Sequence, residues 1–200
     1  SKKLFQEKRL SFSDKQLIVS SGGKQVVFNA LMATINKEDE VLFASPYWVS
    51  YPEIVELCGG RTVVMETSIG TGYKIKPSQL ENSITKKTKW LILNSPANPT
   101  GAVYTERELY LLSEVLLKFP KIMILSDDIY EKITYDGKEC LNIAQVEPKL
   151  EDRILIVNGV SKSHAMTGWR IGYGAGPQRI IESMNIIQSQ STSNPCSISQ

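Results

Sequence analysis

The fold of this chain is indicated first by the stretch Gly159-Val160-Ser161-Lys162-Ser163-His164-Ala165-Met166-Thr167-Gly168-Trp169-Arg170-Ile171-Gly172. It follows an apolar run, residues 154–157, that is typical of a buried strand. Lys162 stands just past that run among small residues, and Arg170 follows eight positions later (170 − 162 = 8). A lysine at a strand end can present its amine to a cleft, although a lysine on a surface loop is the ordinary alternative.

An amine and a guanidinium at this spacing suit one particular kind of ligand. The amine of Lys162 can condense with a carbonyl group, and the guanidinium of Arg170 can hold a phosphate. Pyridoxal 5′-phosphate (PLP) carries both an aldehyde and a phosphate. A site for PLP would therefore use both Lys162 and Arg170.

The bulk composition limits the class of protein. The chain has 200 residues, 42% of them hydrophobic and 22% charged, which suits one globular domain, or one domain with a fragment of another. The net charge of +2 provides no basic field for binding nucleic acid. No stretch reaches transmembrane length and no signal peptide opens the chain, so we expect a cytoplasmic protein without membrane attachment.

Cysteine and histidine usage argues against disulfides and zinc. Cys58, Cys140 and Cys196 are widely spaced and odd in number, as expected for free thiols in a reducing compartment. One histidine and no paired cysteines provide no zinc motif, so we expect no metal site. The chain opens on Ser1 with a charged, helix-like segment, and we expect it to be a piece of a longer protein.

Hydrophobic periodicity predicts strands that alternate with helices. The predicted strands are residues 17–19, 41–44, 62–65, 90–93, 122–125, 154–157 and 171–173. Helices are predicted over residues 24–35, 105–118 and 177–190, the second opening on a capping box formed by Thr105 and Glu108. This alternation predicts an α/β fold in which helices cover both faces of a mostly parallel sheet, a three-layer α/β/α arrangement. The polar end, residues 188–200, is interpreted as a loop or a fraying terminus.

Ligands in such folds bind at the carboxyl ends of the strands, where the unusual residues of this chain lie. The segment Ser20-Ser21-Gly22-Gly23-Lys24-Gln25 joins a strand to a helix, and its glycines would let backbone N–H groups approach an anion. A plain strand-to-helix turn has the same features. The segment Asn94-Ser95-Pro96-Ala97-Asn98-Pro99-Thr100-Gly101 closes another strand, and its asparagines could equally serve the turn backbone.

Carboxylate and aromatic residues close two further strands. The segment Ser126-Asp127-Asp128-Ile129-Tyr130 places a carboxylate at the end of the sheet, where a protonated pyridine nitrogen would be a suitable partner. A helix cap or a surface ion pair is the alternative, and the pattern leaves open whether Asp127 or Asp128 faces inward. The segment Pro46-Tyr47-Trp48 supplies an aromatic ring that either belongs to the core or stacks on a planar ligand.

In this order the motifs resemble those of the class I aminotransferases, which are PLP enzymes of fold type I. The resemblance is strongest to bacterial aspartate aminotransferases, some of which also use prephenate. It rests on residues 21–25, 45–53, 94–103, 126–131 and 159–172, and extends over nearly the whole chain. It implies that residues 1–200 form most of a PLP-binding large domain with a seven-stranded sheet.

The resemblance implies roles for residues around the cofactor ring. Lys162 matches the lysine that bonds to the cofactor aldehyde and later moves the proton. Asp127 matches the carboxylate on the pyridine nitrogen, whereas Tyr130 and Asn98 match the donors to the ring hydroxyl oxygen. Trp48 matches the aromatic residue that stacks on the ring. Of these five, Lys162, Asp127 and Tyr130 are the implied catalytic residues.

The resemblance also implies a binding site for the cofactor phosphate. The residues assigned to that site are Gly22, Gly23, Lys24, Ser161 and Arg170. Lys24 also matches a lysine that faces the distal carboxylate of the substrate. One departure concerns the third residue before the lysine, which is a serine in many relatives and Gly159 here, so that one phosphate-binding hydroxyl is missing.

By resemblance, the parent protein is a homodimer that moves an amino group from aspartate or glutamate to a 2-oxo acid. The arginine that binds the substrate α-carboxylate belongs to the C-terminal small domain of such enzymes, and the tyrosine that reaches the partner's phosphate precedes residue 1. We therefore expect both the small domain and the N-terminal arm to be absent from this chain, and the chain alone to be inactive.

Two other functions stay open at this point. One is a different PLP reaction on the same scaffold, such as that of a C–S β-lyase, and the other is a PLP-binding regulatory domain. Lys24 together with the Tyr47-Trp48 pair favours transamination of acidic substrates.

Overall fold

A single seven-stranded sheet organises the chain. The computed structural model describes Leu4, Gln6, residues 8–137 and residues 139–200, so the charged start at residues 1–3 lies outside the described residues. The strands are β1 Leu17–Ser20, β2 Glu40–Ser45, β3 Arg61–Glu66, β4 Thr88–Asn94, β5 Met123–Asp127, β6 Ile154–Gly159 and β7 Gly172–Ala175. Their order across the sheet is β1-β7-β6-β5-β4-β2-β3. Strand β7 is antiparallel to both of its neighbours, and the other pairs are parallel. The predicted α/β class and mostly parallel seven-stranded sheet are confirmed.

Helices cover both faces of this sheet. Within the described residues the α-helices are α1 Gly23–Thr34, α2 Ser50–Leu57, α3 Pro77–Ser83, α4 Glu106–Leu117, α5 Ile143–Val146 and α6 Gln178–Ser189. One apolar cluster contains residues of α1, α2 and α6, and the other contains residues of α3, α4 and α5. Strand β6 contributes Ile154 and Ile156 to one cluster, and Leu155 and Val157 to the other. This alternation follows from the two-residue period of a strand and produces the three layers expected from the sequence.

The predicted helices differ in how well local sequence signals identified them. In α4, Thr105 accepts a hydrogen bond from Glu108 N, and Thr105 N donates to the Glu108 carboxylate at 2.8 Å, so the predicted capping box is formed. Helices α2, α3 and α5 were not predicted. Pro52 and Pro77 suggest breaks in a helix, but both occur in the first turn, where a missing N–H costs no intrahelical hydrogen bond.

The polar segment at residues 188–200 was interpreted incorrectly at its first residues. Gln188 lies in the last turn of α6 and its side chain is buried. Its Oε1 accepts hydrogen bonds from Ser20 Oγ at 2.5 Å and from Asn29 Nδ2 at 3.1 Å. Its Nε2 donates to Val19 O at 2.8 Å. The glutamine therefore joins α6 to β1 and α1, and partners far away in the sequence account for its burial.

Strand order brings the predicted site segments together. The carboxyl ends of β1, β2, β4, β5 and β6 lie at one edge of the sheet because these strands run in the same direction. The antiparallel strand β7 begins at that same edge, since Gly172 pairs with Gly159 and with Ser20. Arg170, which precedes β7, is thereby placed beside the residues that follow β1 and β6.

Candidate functional site

A cleft at this edge contains most of the residues predicted for the site. Nine of the ten predicted residues line it, and Gly22 is the exception. Two further lining residues, Ile129 and Thr167, were not predicted. Residues at the ends of five strands therefore meet in one cavity, as expected at the carboxyl ends of parallel strands.

Asp127, and not Asp128, faces this cleft. Asp127 is the last residue of β5 and is 5% exposed. Its Oδ2 accepts a 2.6 Å hydrogen bond from Tyr51 Oη, and its Oδ1 accepts a 3.3 Å bond from Ile129 N. Burial raises the pKa of Asp127 to about 6, although both hydrogen bonds lower it. Asp128 is absent from the cleft lining and forms an ion pair with Lys8, because successive residues leave a strand on opposite faces.

Lys162 and Tyr130 face each other across the cleft. The Nζ atom of Lys162 lies 5.8 Å from the centre of the Tyr130 ring. Lys162 is exposed, so its amine is accessible to a ligand. The Tyr130 hydroxyl shares a hydrogen bond with the Asn98 side chain; burial raises the pKa of Tyr130, as does Asp127, whereas Asn98 lowers it. A nucleophilic amine, a phenol and a buried carboxylate are thus collected in a single site.

Asn94 supports this arrangement, although the sequence indicated only a turn residue. Its Nδ2 donates to Asp127 O at 2.9 Å, and its Oδ1 accepts from Asn98 N at 2.8 Å. The side chain therefore links the end of β4 to the end of β5 and holds the backbone of Asn98. In this motif the side chain of Asn94 satisfies backbone groups, whereas Asn98 lines the cleft.

The first turn of α1 and Arg170 form the cationic end of the cleft. Gly22 is the N-cap residue of α1 and has a φ of 93°, in the left-handed region that favours glycine. The Arg170 guanidinium donates to Ser21 O and to Thr167 O, each at 3.1 Å. A Cβ atom on Gly22 would lie 2.2 Å from Arg170 Nη2. Gly22 therefore makes room for the guanidinium beside the helix N-terminus, a combination that suits an anion.

Close strand packing explains why residue 159 is a glycine. A Cβ atom on Gly159 would lie 2.7 Å from Ile171 O and 3.0 Å from Gly172 Cα. A serine at this position would require the start of β7 to shift. The missing hydroxyl is consistent with this tight approach of β6 and β7.

Trp48 packs against the core and also lines the cleft, so both alternatives that the sequence left open apply to it. Its ring packs against the apolar cluster of α1, α2 and α6, and meets the ring of Tyr51 edge-on at 5.4 Å. The same side chain lines the cleft, with Lys24 Nζ 5.0 Å from its ring centre. An aromatic face and a neighbouring cation are therefore available to a planar, anionic ligand.

Tyr51 is the contact that sequence reasoning missed most clearly. It lies in α2 and is buried at 2% exposure, so its pattern is that of a core residue. Its partner Asp127 lies 76 positions away, and no local motif joins the two. Burial raises the pKa of Tyr51 well above its ordinary value, as does the Asp127 carboxylate, so the hydroxyl remains a hydrogen-bond donor.

The described part of the chain contains neither a cluster of metal ligands nor a helix that could span a membrane. Among the described residues, no group of three or more histidine, cysteine, aspartate or glutamate side chains is placed to hold a metal ion. None of the helices in that part of the chain combines the length and apolar character that a bilayer span requires.

The chain as a whole is similar to proteins of one family. The family model for class I and II aminotransferases matches residues 1–200. The aspartate/prephenate aminotransferase of Cereibacter sphaeroides is 54% identical over 198 residues, which are 99% of this chain and 50% of that protein. The aspartate aminotransferase of Bacillus subtilis is 48% identical over 200 residues, which are 100% of this chain and 51% of that protein. The chain thus spans about half the length of the curated relatives it matches.

Solved structures also match nearly the whole chain. The crystal structure of the aspartate aminotransferase from Rhizobium meliloti is 46% identical with a TM-score of 0.98, covering 99% of this chain and 50% of that one. The Thermus thermophilus aspartate aminotransferase with maleate is 42% identical with a TM-score of 0.94, covering 100% of this chain and 51% of that one.

Proposed function

We propose an aminotransferase function, since this chain belongs to the family of class I and II aminotransferases. The proposed reaction moves the amino group of a dicarboxylic amino acid, aspartate or glutamate, to a 2-oxo acid. The observation that carries the proposal is the meeting of the Lys162 amine, the Asp127 carboxylate and the Tyr130 phenol in one cleft. The relatives named above bear the names of aspartate and aspartate/prephenate aminotransferases, which supports acidic substrates.

The residues of the cleft fit PLP. A phosphate would suit the end formed by Arg170 and the first turn of α1, where Gly22 leaves room for the guanidinium. A protonated ring nitrogen would suit Asp127, a carboxylate that is buried beside the cleft. Between these ends lies the exposed Lys162 amine, to which an aldehyde can bond. We therefore propose PLP as the cofactor.

Each of these groups would contribute a separate part of the chemistry. When bound, PLP supplies an aldehyde that accepts the amino group and a ring that delocalises electrons from the substrate Cα. Lys162 would bond to the aldehyde carbon, and its freed amine would then move a proton from the substrate Cα to that carbon, as amino transfer requires. Asp127 would keep a proton on the ring nitrogen, and Tyr130 with Asn98 would donate hydrogen bonds to the ring oxygen.

The remaining proposed site residues hold the cofactor and select the substrate. Ser161, Gly23 and Lys24 would join Arg170 and the Gly22 turn around the phosphate. Trp48 would pack its face on the ring, as its position in the cleft allows. Lys24, which lies beside Trp48, would also attract the distal carboxylate of an acidic substrate.

We further propose that residues 1–200 are most of the large domain of a longer enzyme. Support comes from the relatives, which are about twice as long as this chain. An N-terminal arm and a C-terminal small domain would supply the substrate α-carboxylate arginine and complete a homodimer. Three free cysteines in the described structure are consistent with the reducing cytoplasm as the compartment.

One assay tests this function. The complete enzyme, supplied with PLP, should convert aspartate and 2-oxoglutarate to oxaloacetate and glutamate, and prephenate in place of 2-oxoglutarate tests the wider acceptor range. Release of pyruvate and ammonia from cysteine thioethers, without any amino transfer, would instead identify a C–S β-lyase and refute the proposal.

A further inference from the structure

The turn that carries Tyr130 is held from the side opposite the cleft. Asp127 and Tyr130 line the cleft, whereas Asp128 and Glu131 do not. Asp128 and Glu131 are 3% and 9% exposed, so the turn presents two buried carboxylates to the interior of the protein. Buried carboxylates require partners, and the position of those partners determines the position of the turn.

Lys8 is the partner that these two carboxylates share. Its Nζ lies 3.1 Å from Asp128 Oδ2 and 2.7 Å from Glu131 Oε2, and its side chain is only 5% exposed. Burial alone would lower the pKa of Lys8, but the two carboxylates outweigh burial and raise it above its ordinary value. The ammonium group is therefore charged, and it bridges the two ends of a four-residue segment.

Other bonds make this bridge a rigid one. Asp128 also accepts hydrogen bonds from Ser126 Oγ and Asn142 Nδ2, each at 2.8 Å. The segment around Lys8 is fixed as well, because Leu4, Leu10 and Phe12 are buried in the apolar cluster of α3, α4 and α5. Lys8 therefore ties the turn to an anchored part of the chain.

The same turn is closed by backbone hydrogen bonds on both sides of Tyr130. Glu131 N donates to Asp128 O at 2.9 Å, and Ile133 N donates to Tyr130 O at 2.8 Å. Asp128 N donates to Val157 O of β6 at 2.9 Å. A shift of either carboxylate would displace Tyr130 relative to Lys162, and the site would lose the alignment that positions its reacting groups.

We infer that Lys8 is a positioning residue, which holds Tyr130 and Asp127 in place by bridging Asp128 and Glu131 behind the cleft. This inference rests on the proposed function, because PLP is the ligand that the cleft is expected to hold. The role is distinct from simple charge neutralisation, and the two can be separated by substitution.

The decisive variant is Lys8→Met combined with Glu131→Gln. The wild-type cluster has one positive and two negative charges, a net charge of −1, and the double variant retains Asp128 alone, also −1. The net charge of the cluster is therefore unchanged while the bridge is lost, and Asp128 keeps its hydrogen bonds from Ser126 and Asn142. A urea unfolding curve of the variant establishes that it is folded before binding and exchange are measured. The matched control is Lys74→Met with Glu108→Gln, which removes a 2.6 Å ion pair away from the cleft and leaves an amide that can still form the cap with Thr105.

Two measurements on the full 200-residue chain test the inference. Titration with PLP, followed by absorbance, should show about tenfold weaker binding in the Lys8/Glu131 variant and no change in the control. Hydrogen exchange followed by mass spectrometry, without PLP, should show faster exchange in residues 128–133 of the Lys8/Glu131 variant only.

The outcomes separate this inference from the proposed function. If wild type binds PLP and the Lys8/Glu131 variant binds it equally well with unchanged exchange, Lys8 has no positioning role. If wild-type chain does not bind PLP, the proposed cofactor fails for this chain, and hydrogen exchange alone then decides: unchanged protection of residues 128–133 would overturn the inference.

Discussion

Tyr51 Oη donates a 2.6 Å hydrogen bond to Oδ2 of Asp127, and both side chains are buried. Burial raises the pKa of Asp127 to about 6, and the bond from Tyr51 acts against that rise by stabilising the carboxylate. A carboxylate intended to hold a protonated ring nitrogen must be charged at neutral pH. Tyr51 should therefore strengthen binding of the proposed cofactor indirectly, by keeping the Asp127 carboxylate charged.

Replacing Tyr51 by phenylalanine should weaken PLP binding about tenfold at neutral pH, because a lost hydrogen bond to a charged group costs about 1.5–3 kcal/mol. The pKa of Asp127 should rise further, so the loss should shrink at higher pH, where the carboxylate is charged in either protein. The measurement is an absorbance titration with PLP at several pH values. Tyr104→Phe is the matched control, since Tyr104 is buried and accepts a hydrogen bond from Ile75 N outside the cleft lining. Equal affinities for the Tyr51→Phe and Tyr104→Phe variants would contradict this role.

Asp127 should also make the free energy of unfolding of the cofactor-free chain depend on pH. Its folded pKa of about 6 exceeds its ordinary value of 3.8, so the folded state binds the proton more tightly. Below about pH 3.8 this proton contributes about 3 kcal/mol to the free energy of unfolding. That contribution is lost as the pH rises through 6. Asp127→Asn, which stays neutral, should lack this loss. Urea unfolding curves from pH 4 to pH 7 give the difference, and parallel curves for the two proteins would contradict it.

Lys162 should be the residue to which the cofactor bonds. Borohydride reduction of the PLP-loaded enzyme, followed by peptide mapping, should place a pyridoxyl group on Lys162. Lys162→Arg should abolish both the label and the turnover, because a guanidinium stays protonated and is a poor nucleophile. Lys15→Arg, at an exposed lysine remote from the cleft, should change neither. A label on any other lysine would disprove the assignment.

Asp127 and Asp128 should differ sharply on substitution. Asp127→Ala removes the carboxylate that faces the cleft and should lower turnover by about 10³-fold or more in the complete enzyme. Asp128→Ala leaves Lys8 paired with Glu131 but removes the bridge, so it should lower the free energy of unfolding by about 1–3 kcal/mol and turnover by no more than about tenfold. Single-turnover kinetics and urea unfolding measure the two effects. The reverse ranking in turnover would refute the assignment of Asp127.

The 200-residue chain by itself should have negligible transaminase activity. The substrate would lack the charge-assisted anchor for its α-carboxylate and the orientation that brings its Cα to Lys162. The assay uses purified chain with saturating PLP, aspartate and 2-oxoglutarate, with a complete aspartate aminotransferase as the positive control. Turnover close to that of the complete enzyme would mean that residues within this chain provide the anchors.

Local sequence signals predicted the sheet and several of its helices. The runs of β4, β5 and β6 are continuously apolar, and the sequence alone therefore indicates strands that are buried on both faces. In the structure, successive side chains of these runs alternate between the two core clusters. The capping box at Thr105 is equally local, because its two partners are three residues apart. The position of Lys162 after a buried strand likewise needed only its neighbours. The motif order then indicated the family to which the chain belongs.

The choice between Asp127 and Asp128 depended on the tertiary structure. Alternation along β5 predicts that the two carboxylates leave the strand on opposite faces, but not which face carries the cleft. Packing decides it, since α2 brings Tyr51 to Asp127 while the segment around Lys8 reaches Asp128.

The supporting contacts behind the site are long-range, and for that reason the sequence did not reveal them. Tyr51 and Asp127 are 76 positions apart, and Gln188 reaches Ser20 across 168 positions. Each of these side chains is polar and buried, so its position follows from a partner that only the folded chain supplies. The sequence by itself therefore determined the layers, the family and most of the residues that line the cleft. Tertiary packing decided which carboxylate faces the cleft and which buried groups hold it there, because hydrogen bonds between distant segments form only after the helices close on the sheet.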